Sequence, residues 1–531
     1  MTAEPEEPIQ KAVSYIVGRM VEAEVLTRDR VEKLKKEAAR EFSLDRYVSN
    51  NEILAALPRR LRPSFQEMLR VHPRRSASGI VVVTAFTRPL PCPHGTCVFC
   101  PGGPRFGTPQ SYMRDSPGMR SALASEFDPY EQVRKCLAKY EANGHQTDKV
   151  ETIIEGGTFI ADPRDYQLSF VKGVYEGLNG RPSKGLEEAQ RANETGTSRC
   201  VGLTLETKPD RCTPADVDLM LRYGVTRLEV GVQSLHDETL AGSNRGHTAQ
   251  DAADAMRVAR DSGLKVTVHM MPGLPGATPA EDLEDLHRIF EDEDFRPDMS
   301  KLYPTLVVEG TALAKLHAAG KYEPYDLETV VELLSDMKRF VPRWHRVMRI
   351  QREIPSYEIT GGVRNGNLRE LVRKRAMEKG DPCRCIRCRE VATSDPRLIE
   401  GEDSLEYREE VYRASGGKEV FGSYEYGRSG MIAGFVRMRF PSDRAHRKEL
   451  RDAAVVRELR VYGRVVGIGS RKGNAWQHRG LGASMMKAAE ERARSELGRG
   501  RILVTSAVGT RNYYRRLGYR KLGPYMAKRL D

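Results

Sequence analysis

The chain has 531 residues, 39% hydrophobic and 30% charged, and 86 Lys and Arg against 74 Asp and Glu leave a net charge of +12. One hydrophobic core stops growing at about 250–300 residues, so two or three domains are expected, and this balance of apolar and charged residues excludes a disordered chain. No window approaches the ~18 consecutive apolar residues of a membrane helix, and Met1–Gln10 is acidic and polar, so no membrane partner and a cytoplasmic location are expected.

Residues 1–75 read as helical and charged. Arg59–Arg75 holds six arginines and a single acid, Glu67. A solvated helix face is the ordinary reading of such a run. Here the charge is one-sided and the apolar spacing poor, which weighs equally for contact with phosphates, in keeping with the basic surplus.

From about Gly79 to Val308 strands alternate with helices. The strand candidates are Gly79–Phe86, Val150–Ile154, Val201–Leu205, Arg227–Val232, Lys265–Met270 and Ser300–Val307, with amphipathic stretches between them such as Tyr130–Ala142, Ala249–Ser262 and Pro279–Glu291. Six strands in this order predict an α/β fold with a parallel sheet, curled into a partial (β/α) barrel. Chemistry is expected at the C-terminal ends of the strands. Asn193–Ser198 and the Gly/Lys/Glu-rich run before it read as an exposed loop, and Arg343–Glu390 as a basic connector. From about Ser394 the pattern turns antiparallel, with strands Gly430–Arg439, Val455–Val461 and Ile502–Ser506 and helices Gly482–Glu496 and Thr510–Leu517, a second α+β domain.

Six of the nine cysteines form two tight triplets, Cys92, Cys97, Cys100 and Cys383, Cys385, Cys388; Cys136, Cys200 and Cys212 are scattered and read as core residues. Clustered cysteines in a long chain with no secretory signal point to metal. The first triplet follows directly on the first strand. Three thiolates there can hold a 4Fe-4S cluster with one iron left open, which the amino and carboxylate groups of S-adenosyl-L-methionine (SAM) can chelate. A zinc knuckle completed by His94 is the alternative. The gaps of four and then two residues depart from the three and two common to radical-SAM enzymes. Glu155-Gly-Gly-Thr158, Glu229–Ser234 and His269–Gly276 all end strands, and Gly156, Gly157 and Gln233 are the SAM-binding candidates.

Near the C-terminus, Gln477-His-Arg-Gly-Leu-Gly482 lies between a strand and an amphipathic helix. A glycine turn that opens a helix presents backbone N–H groups to a pyrophosphate. With the strand Glu458-Leu-Arg-Val461 before it and Gly509-Thr-Arg-Asn-Tyr-Tyr-Arg-Arg-Leu-Gly-Tyr519 after it, the order resembles the GNAT acyltransferase family. That resemblance implies acetyl-CoA on Glu458, Leu459, Arg460, Val461, Gln477, Arg479, Gly480, Leu481, Gly482 and Ala483. It places Tyr514 near the thioester as a catalytic group and leaves Tyr513 as core or rim.

The pairing of the two parts resembles the family of the catalytic third subunit of Elongator, a tRNA uridine carboxymethyltransferase. The matching residues are Ser76-Ala-Ser-Gly-Ile80, Cys92-Pro-His94, Cys97–Gly103, Asp148-Lys-Val-Glu151, Gly156–Phe159, Asn244-Arg-Gly-His247, Arg457-Glu-Leu459 and Gly509–Tyr514. The resemblance runs from about residue 70 to the end, and the family varies the first cysteine gap. It implies that a 5′-deoxyadenosyl radical removes a hydrogen from the acetyl methyl of acetyl-CoA. The carbon radical then adds to C5 of the wobble uridine, and hydrolysis leaves 5-carboxymethyluridine.

Lys149 is implied beside acetyl-CoA as a catalytic residue; a solvated loop lysine is the plain alternative. Cys383, Cys385 and Cys388 match a linker zinc site that locks the domains together. His345 is a candidate fourth ligand by nearness, and Arg384, Arg387 and Arg389 would offset thiolate charge or touch tRNA. The expected parts are a tRNA-binding region over 1–75, a radical-SAM domain over 76–342, a zinc-binding linker over 343–393 and a GNAT domain over 394–531. The implied partners are tRNA, acetyl-CoA and an electron donor, with a homodimer or Elongator-like accessory subunits left open. Two rivals are a protein lysine (histone-type) acetyltransferase with a structural iron–sulfur domain and a tRNA-binding scaffold without turnover.

Overall fold

Strand β1 (Val81–Phe86) is a β-branched run, Val-Val-Val-Thr, and it pairs in parallel with β2 (Lys149–Glu155). β3 (Arg199–Thr207), β4 (Arg227–Gln233), β5 (Lys265–Met270) and β6 (Met299–Leu302) follow in sequence order, each parallel to the last. The computed structural model describes residues 6–23, 26–392, 404–462, 480–498 and 500–530. The six expected strands are present, but the sheet has seven. Two short strands, β7 (Val307–Val308) and β9 (Ile359–Gly361), form a separate antiparallel ribbon, and β8 (Arg346–Ile350) adds to β6 from within the stretch read as connector. The expected Ser300–Val307 strand is broken at Pro304, which cannot donate to a ladder.

Helices pack on the outer face, and their starts are written in the sequence. Pro214–Tyr223, Ala249–Asp261 and Pro279–Glu291 each begin at a threonine whose hydroxyl and an acid three residues on close a capping box. On β2 the alternate residues Val150, Thr152 and Ile154 are fully buried on the helix side. Lys149, Glu151, Ile153 and Glu155 take the other face, toward the interior of the barrel.

Residues 194–198 form the expected loop, but the Gly/Lys/Glu-rich run before it carries a helix, Leu186–Asn193. Leu186, Ala189, Gln190 and Asn193 are its buried face at helical spacing, which the surrounding charges mask. Asn193 closes the turn by donating to Asn179 and the Ser198 carbonyl and accepting from the Cys200 N–H. Cys200 and Cys212 are buried in the core as expected, and Cys136 is partly buried against it.

The C-terminal sheet runs β10-β11-β12-β13-β14-β16-β15. β12 (Ile432–Phe440), β13 (Ala453–Val461) and β14 (Arg501–Val504) match expectation. The hairpin of β10 (Leu405–Ala414) and β11 (Gly417–Tyr426) and the final pair β15 (Arg520–Leu522) and β16 (Tyr525–Arg529) lie beyond the expected elements. Ser415 and Gly416, at φ 48° and 72°, make the two-residue turn that hairpins favour. Helix Leu481–Leu497 packs over this sheet through Met485, Met486, Ala489 and Ala493.

Four helices, Glu6–Glu22, Arg28–Glu41, Asn50–Ala56 and Arg62–Leu69, form the N-terminal part with a core of its own. Two arginines of the basic run serve the fold: Arg62 donates to the carbonyls of Ala55 and Leu57, and Arg70 to Gly144. Arg59, Arg60 and Arg75 are exposed.

The two sheets meet where the barrel strands begin. Gly509 lies so close to the start of β3 that a Cβ there would come within 2.6 Å of the Arg199 Cβ and 2.7 Å of the Cys200 carbonyl oxygen. Around this contact, ion pairs join the two parts: Arg457–Asp298 at 2.6 Å, Arg439–Asp261 at 2.7 Å, Arg511–Glu194 at 3.1 Å and Arg447–Asp218 at 2.5 Å.

Candidate active site

Two cavities lie at opposite ends of the barrel. The upper one, about 430 Å³, is bounded by the loops after the strands and takes in Cys92, Cys97 and Cys100. Gly157, at φ 76°, passes so close to Cys92 that a Cβ would sit 3.3 Å from its Sγ. Gly156 has no room at all, since a Cβ would fall 1.8 Å from the Thr87 hydroxyl. Cys97 Sγ accepts from Arg245 at 3.2 Å and lies 3.2 Å from His94 Nε2; Cys100 Sγ lies 3.3 Å from Gln110 Oε1. Burial pushes the Cys92 thiol up and the Cys100 thiol up to about 11. Burial, with Lys208 and Arg245 beside it, lowers His94 to about 4.

The donor set fits a cluster better than a single ion. Thiolates ~2.3 Å from one zinc must lie ~3.8 Å apart. Cys383, Cys385 and Cys388 do crowd within 4.8 Å of one another, whereas the first triplet does not gather that closely. Around it, Gln233 Oε1, His94 Nδ1 and Arg245 Nε are buried without hydrogen-bond partners, while Lys208 pairs with Asp210 at 3.1 Å. Gln233 also holds a left-handed φ of 74°. Unpaired polar atoms and a strained residue converging beside three thiols suit a charged, polar cofactor such as SAM.

Below the cysteines, acids and bases fill the lumen. Tyr112 donates to Glu206 at 2.5 Å, and Glu229, fully buried, accepts from His269 at 3.0 Å and pairs with Lys301. Glu206, Glu229 and His269 converge closely enough to hold an ion, but the Lys301 ammonium already neutralises Glu229. Burial raises Glu155 to about 8, helped by repulsion from Glu206. Glu155, Glu229 and His269 were expected only as members of strand-end motifs, and Tyr112, Glu206 and Lys301 not at all. Their signal was an alternation of charges, Lys149-Glu151-Glu155 and Arg227-Glu229, along strands otherwise apolar enough to be buried.

The lower cavity, about 560 Å³, lies between the barrel's N-terminal rim and the second sheet. Lys149, Glu458, Leu459, Arg460, Val461, Gly480, Gly482, Ala483 and Tyr514 all line it. Leu481 opens the adjoining helix, while Gln477 and Arg479 lie outside the described residues. β13 pairs with β14 only as far as Val456↔Val504, while its pairing with β12 runs on to Val461. Among the described residues Glu458–Val461 therefore keeps one backbone edge unpaired, and amides of a pantetheine arm suit such an edge. Gly480, at φ 80°, starts the helix with no side-chain cap among the described residues, and the first N–H groups of such a start suit a phosphate. Tyr513 and Tyr514 both line the cavity, their rings edge to face at 5.2 Å. Burial lowers the Lys149 ammonium.

The second cysteine triplet has a close-set donor group, but His345 is not part of it. Both His345 ring nitrogens are engaged, one with the Pro297 carbonyl and one with the Ser300 hydroxyl, each at 2.8 Å. Arg389 binds Glu425 and the carbonyls of Arg384, Arg343 and Gly430, so it serves the fold rather than a ligand.

Residues 91–289 match the Radical SAM superfamily and 297–378 a Radical SAM C-terminal domain; residues 9–77 match the ELP3 N-terminal domain and 473–529 an acetyltransferase (GNAT) domain. The chain is 42% identical to a tRNA uridine(34) acetyltransferase of Methanocaldococcus infernus, over 98% of this chain and 100% of that one. It is 40% identical to human Elongator complex protein 3, over 99% of this chain and 98% of that one. A solved structure of the M. infernus Elp3 lacking residues 1–46 superposes with a TM-score of 0.75 at 42% identity, covering 85% of this chain and all of that chain. No helix among the described residues is long and apolar enough to cross a membrane.

Proposed function

From the premise that this chain belongs to the family of tRNA uridine(34) acetyltransferase and Elongator complex protein 3, we propose that it modifies the wobble uridine of tRNA, building a carboxymethyl group at C5 from the acetyl group of acetyl-CoA. One observation carries the reading: a thiol-lined cavity and a cavity suited to coenzyme A open at the two ends of one barrel, with Glu151 lining both. A plain acetyltransferase has no use for that arrangement.

Cys92, Cys97 and Cys100 would hold the 4Fe-4S cluster, with Gly156, Gly157 and Gln233 along SAM. Bound there, the pair supplies one-electron chemistry that abstracts a hydrogen atom. The electron comes from a separate donor. The chain's own residues do the rest. The open edge of Glu458–Val461 and the helix start at Gly480 seat acetyl-CoA. Lys149, its ammonium weakened by burial, lies where it can orient the thioester without a strong hydration shell, and Tyr514 closes the far wall. The lumen, walled by barrel strands, keeps bulk water from the reacting carbon. Cys383, Cys385 and Cys388 fit a structural zinc with a fourth ligand still to be identified. Arg59, Arg60 and Arg75 offer exposed charge to tRNA phosphates.

The test is anaerobic reconstitution with iron and sulfide, incubation with tRNA, and mass spectrometry of its nucleosides. Carboxymethyluridine should form only with SAM and acetyl-CoA together, and Cys97→Ala should abolish it. Its formation by that variant, or acetylation of a lysine peptide with tRNA inert, overturns the reading.

A further inference from the structure

Between the two cavities stands one layer of charge. Glu151, on β2, is the residue common to both. Its carboxylate meets the Arg227 guanidinium of β4 at 2.5 Å across the lumen, and Arg227 also faces Glu229 at 3.5 Å. From below, Arg460 of the second sheet reaches Glu151 at 3.6 Å and Glu458 at 3.8 Å. Burial alone would push the Glu151 carboxyl up, but Arg227 and Arg460 outweigh it and hold it at about 2, so the pair is charged throughout the physiological range. The layer is not a finished structural pair. Arg227 is 3% exposed, yet its Nε has no hydrogen-bond partner, and Glu229 Oε1 above it is met by Arg227 at 3.5 Å rather than by a hydrogen bond. Buried charged groups that are ion-paired but leave hydrogen-bonding atoms unused, set between two cavities, mark a place where a polar group is accommodated.

The proposed reaction, on which this inference rests, needs the acetyl methyl to reach chemistry in the upper cavity while its coenzyme is held in the lower one. β2 spans the gap: from Lys149 to Glu155 the chain climbs ~20 Å at ~3.3 Å per residue. We propose that the barrel lumen is the path by which the thioester end of acetyl-CoA enters the radical cavity, and that the Glu151–Arg227 ion pair is the gate across it. Arg460 is the lever. It lies on the strand edge against which the pantetheine arm would run, so occupancy of that edge competes for the guanidinium that helps to fix Glu151. The gate couples the sites: it stays shut to water when the coenzyme site is empty and yields when it is filled.

A cysteine placed above the gate reads the path without any cluster chemistry. Ile153 follows Glu151 on the same face of β2 and lines the upper cavity. The full chain carrying Ile153→Cys is treated with bromoacetyl-CoA, and alkylated peptides are mapped by mass spectrometry. Alkylation at position 153 is expected, with desulfo-CoA blocking it while iodoacetamide still reacts. Adding Glu151→Gln should make the bromoacetyl-CoA reaction about tenfold faster, as a lowered barrier requires. Thr84→Cys, on the lumen side of β1, repeats the test if Ile153→Cys folds poorly. If iodoacetamide labels the new cysteine and bromoacetyl-CoA does not in either background, the passage is refuted. Equal rates with and without Glu151→Gln refute the gate. Failure of acetyl-CoA to bind the chain, measured by calorimetry, instead overturns the proposed function.

Discussion

Glu155 carries the clearest pH signature of any single residue. Its folded pKa of about 8 lies above the ordinary 4.5, because burial and Glu206 disfavour the anion. A raised carboxyl stabilises the fold fully below its unfolded value and loses that contribution as pH climbs through the folded one. Stability should therefore fall between pH 4.5 and about 8 for this residue's part. Glu155→Gln, which cannot ionise, should be less sensitive than the parent chain when unfolding temperatures are compared at about pH 5 and about pH 9. An unchanged gap between the two would mean that Glu155 is ionised in the fold. The same residue shows what the sequence could not supply. Glu155 stood in a motif read for its glycines, and nothing in a linear string says that Glu206, 51 positions on, faces it. Gln233 and the first three cysteines do meet at one cavity, as their places at strand ends led one to expect. His345 was not legible in this way, because nearness in sequence says nothing about which way a ring's nitrogens are spent.

At the scale of elements, the sequence was most readable where periodicity and burial agree. Lys265–Met270 and Pro279–Glu291 have the expected bounds. β10 went unread because Leu405-Glu-Tyr-Arg-Glu-Glu-Val-Tyr-Arg-Ala414 is an edge strand with mixed exposure on both faces, which leaves no apolar alternation to find. Gly509 belongs to this scale. The motif suggested a coenzyme role, and the structure adds a docking role, since the turn before helix Arg511–Arg516 lies directly against β3. Backbone and a Cβ on both sides leave the neighbours little freedom to yield. Gly509→Ala should cost ~1–3 kcal/mol by overpacking, seen as a lower denaturant midpoint with an unaltered slope. It should also weaken acetyl-CoA binding, because the lower cavity is lined from both parts, by Lys149 of the barrel and Tyr514 of the second sheet's domain, which this contact holds together. Full stability in the variant would show that the turn can back away and that the contact does not fix the cavity.

For the whole molecule, the question is what holds the two sheets in the register that the shared passage demands. Asp298 answers most of it. It is wholly buried, caps β5 by accepting from the Val266 N–H at 2.9 Å, and binds Arg457 of β13 with both oxygens at 2.6 Å. Burial would raise its carboxyl, but Arg457 and Arg260 outweigh that and keep it well below the ordinary range. Arg457 in turn reaches Glu419 of β11, and Glu419 meets Arg439 of β12, so charge of alternating sign threads from the barrel through three strands of the second sheet. Such a network contributes little over a well-packed apolar contact, but losing one member strands the others. Asp298→Asn should therefore cost ~3–5 kcal/mol. Pairing it with Arg457→Met should restore part of that loss, because the stranded charge leaves too, and a double-mutant cycle measures the coupling. Calorimetry should show one transition splitting in two for Asp298→Asn alone, as the sheets lose their common anchor. If the single substitution is as stable as the parent, or the double one is worse by the full sum, the two sheets are held by their apolar contact and the ion network is a passenger.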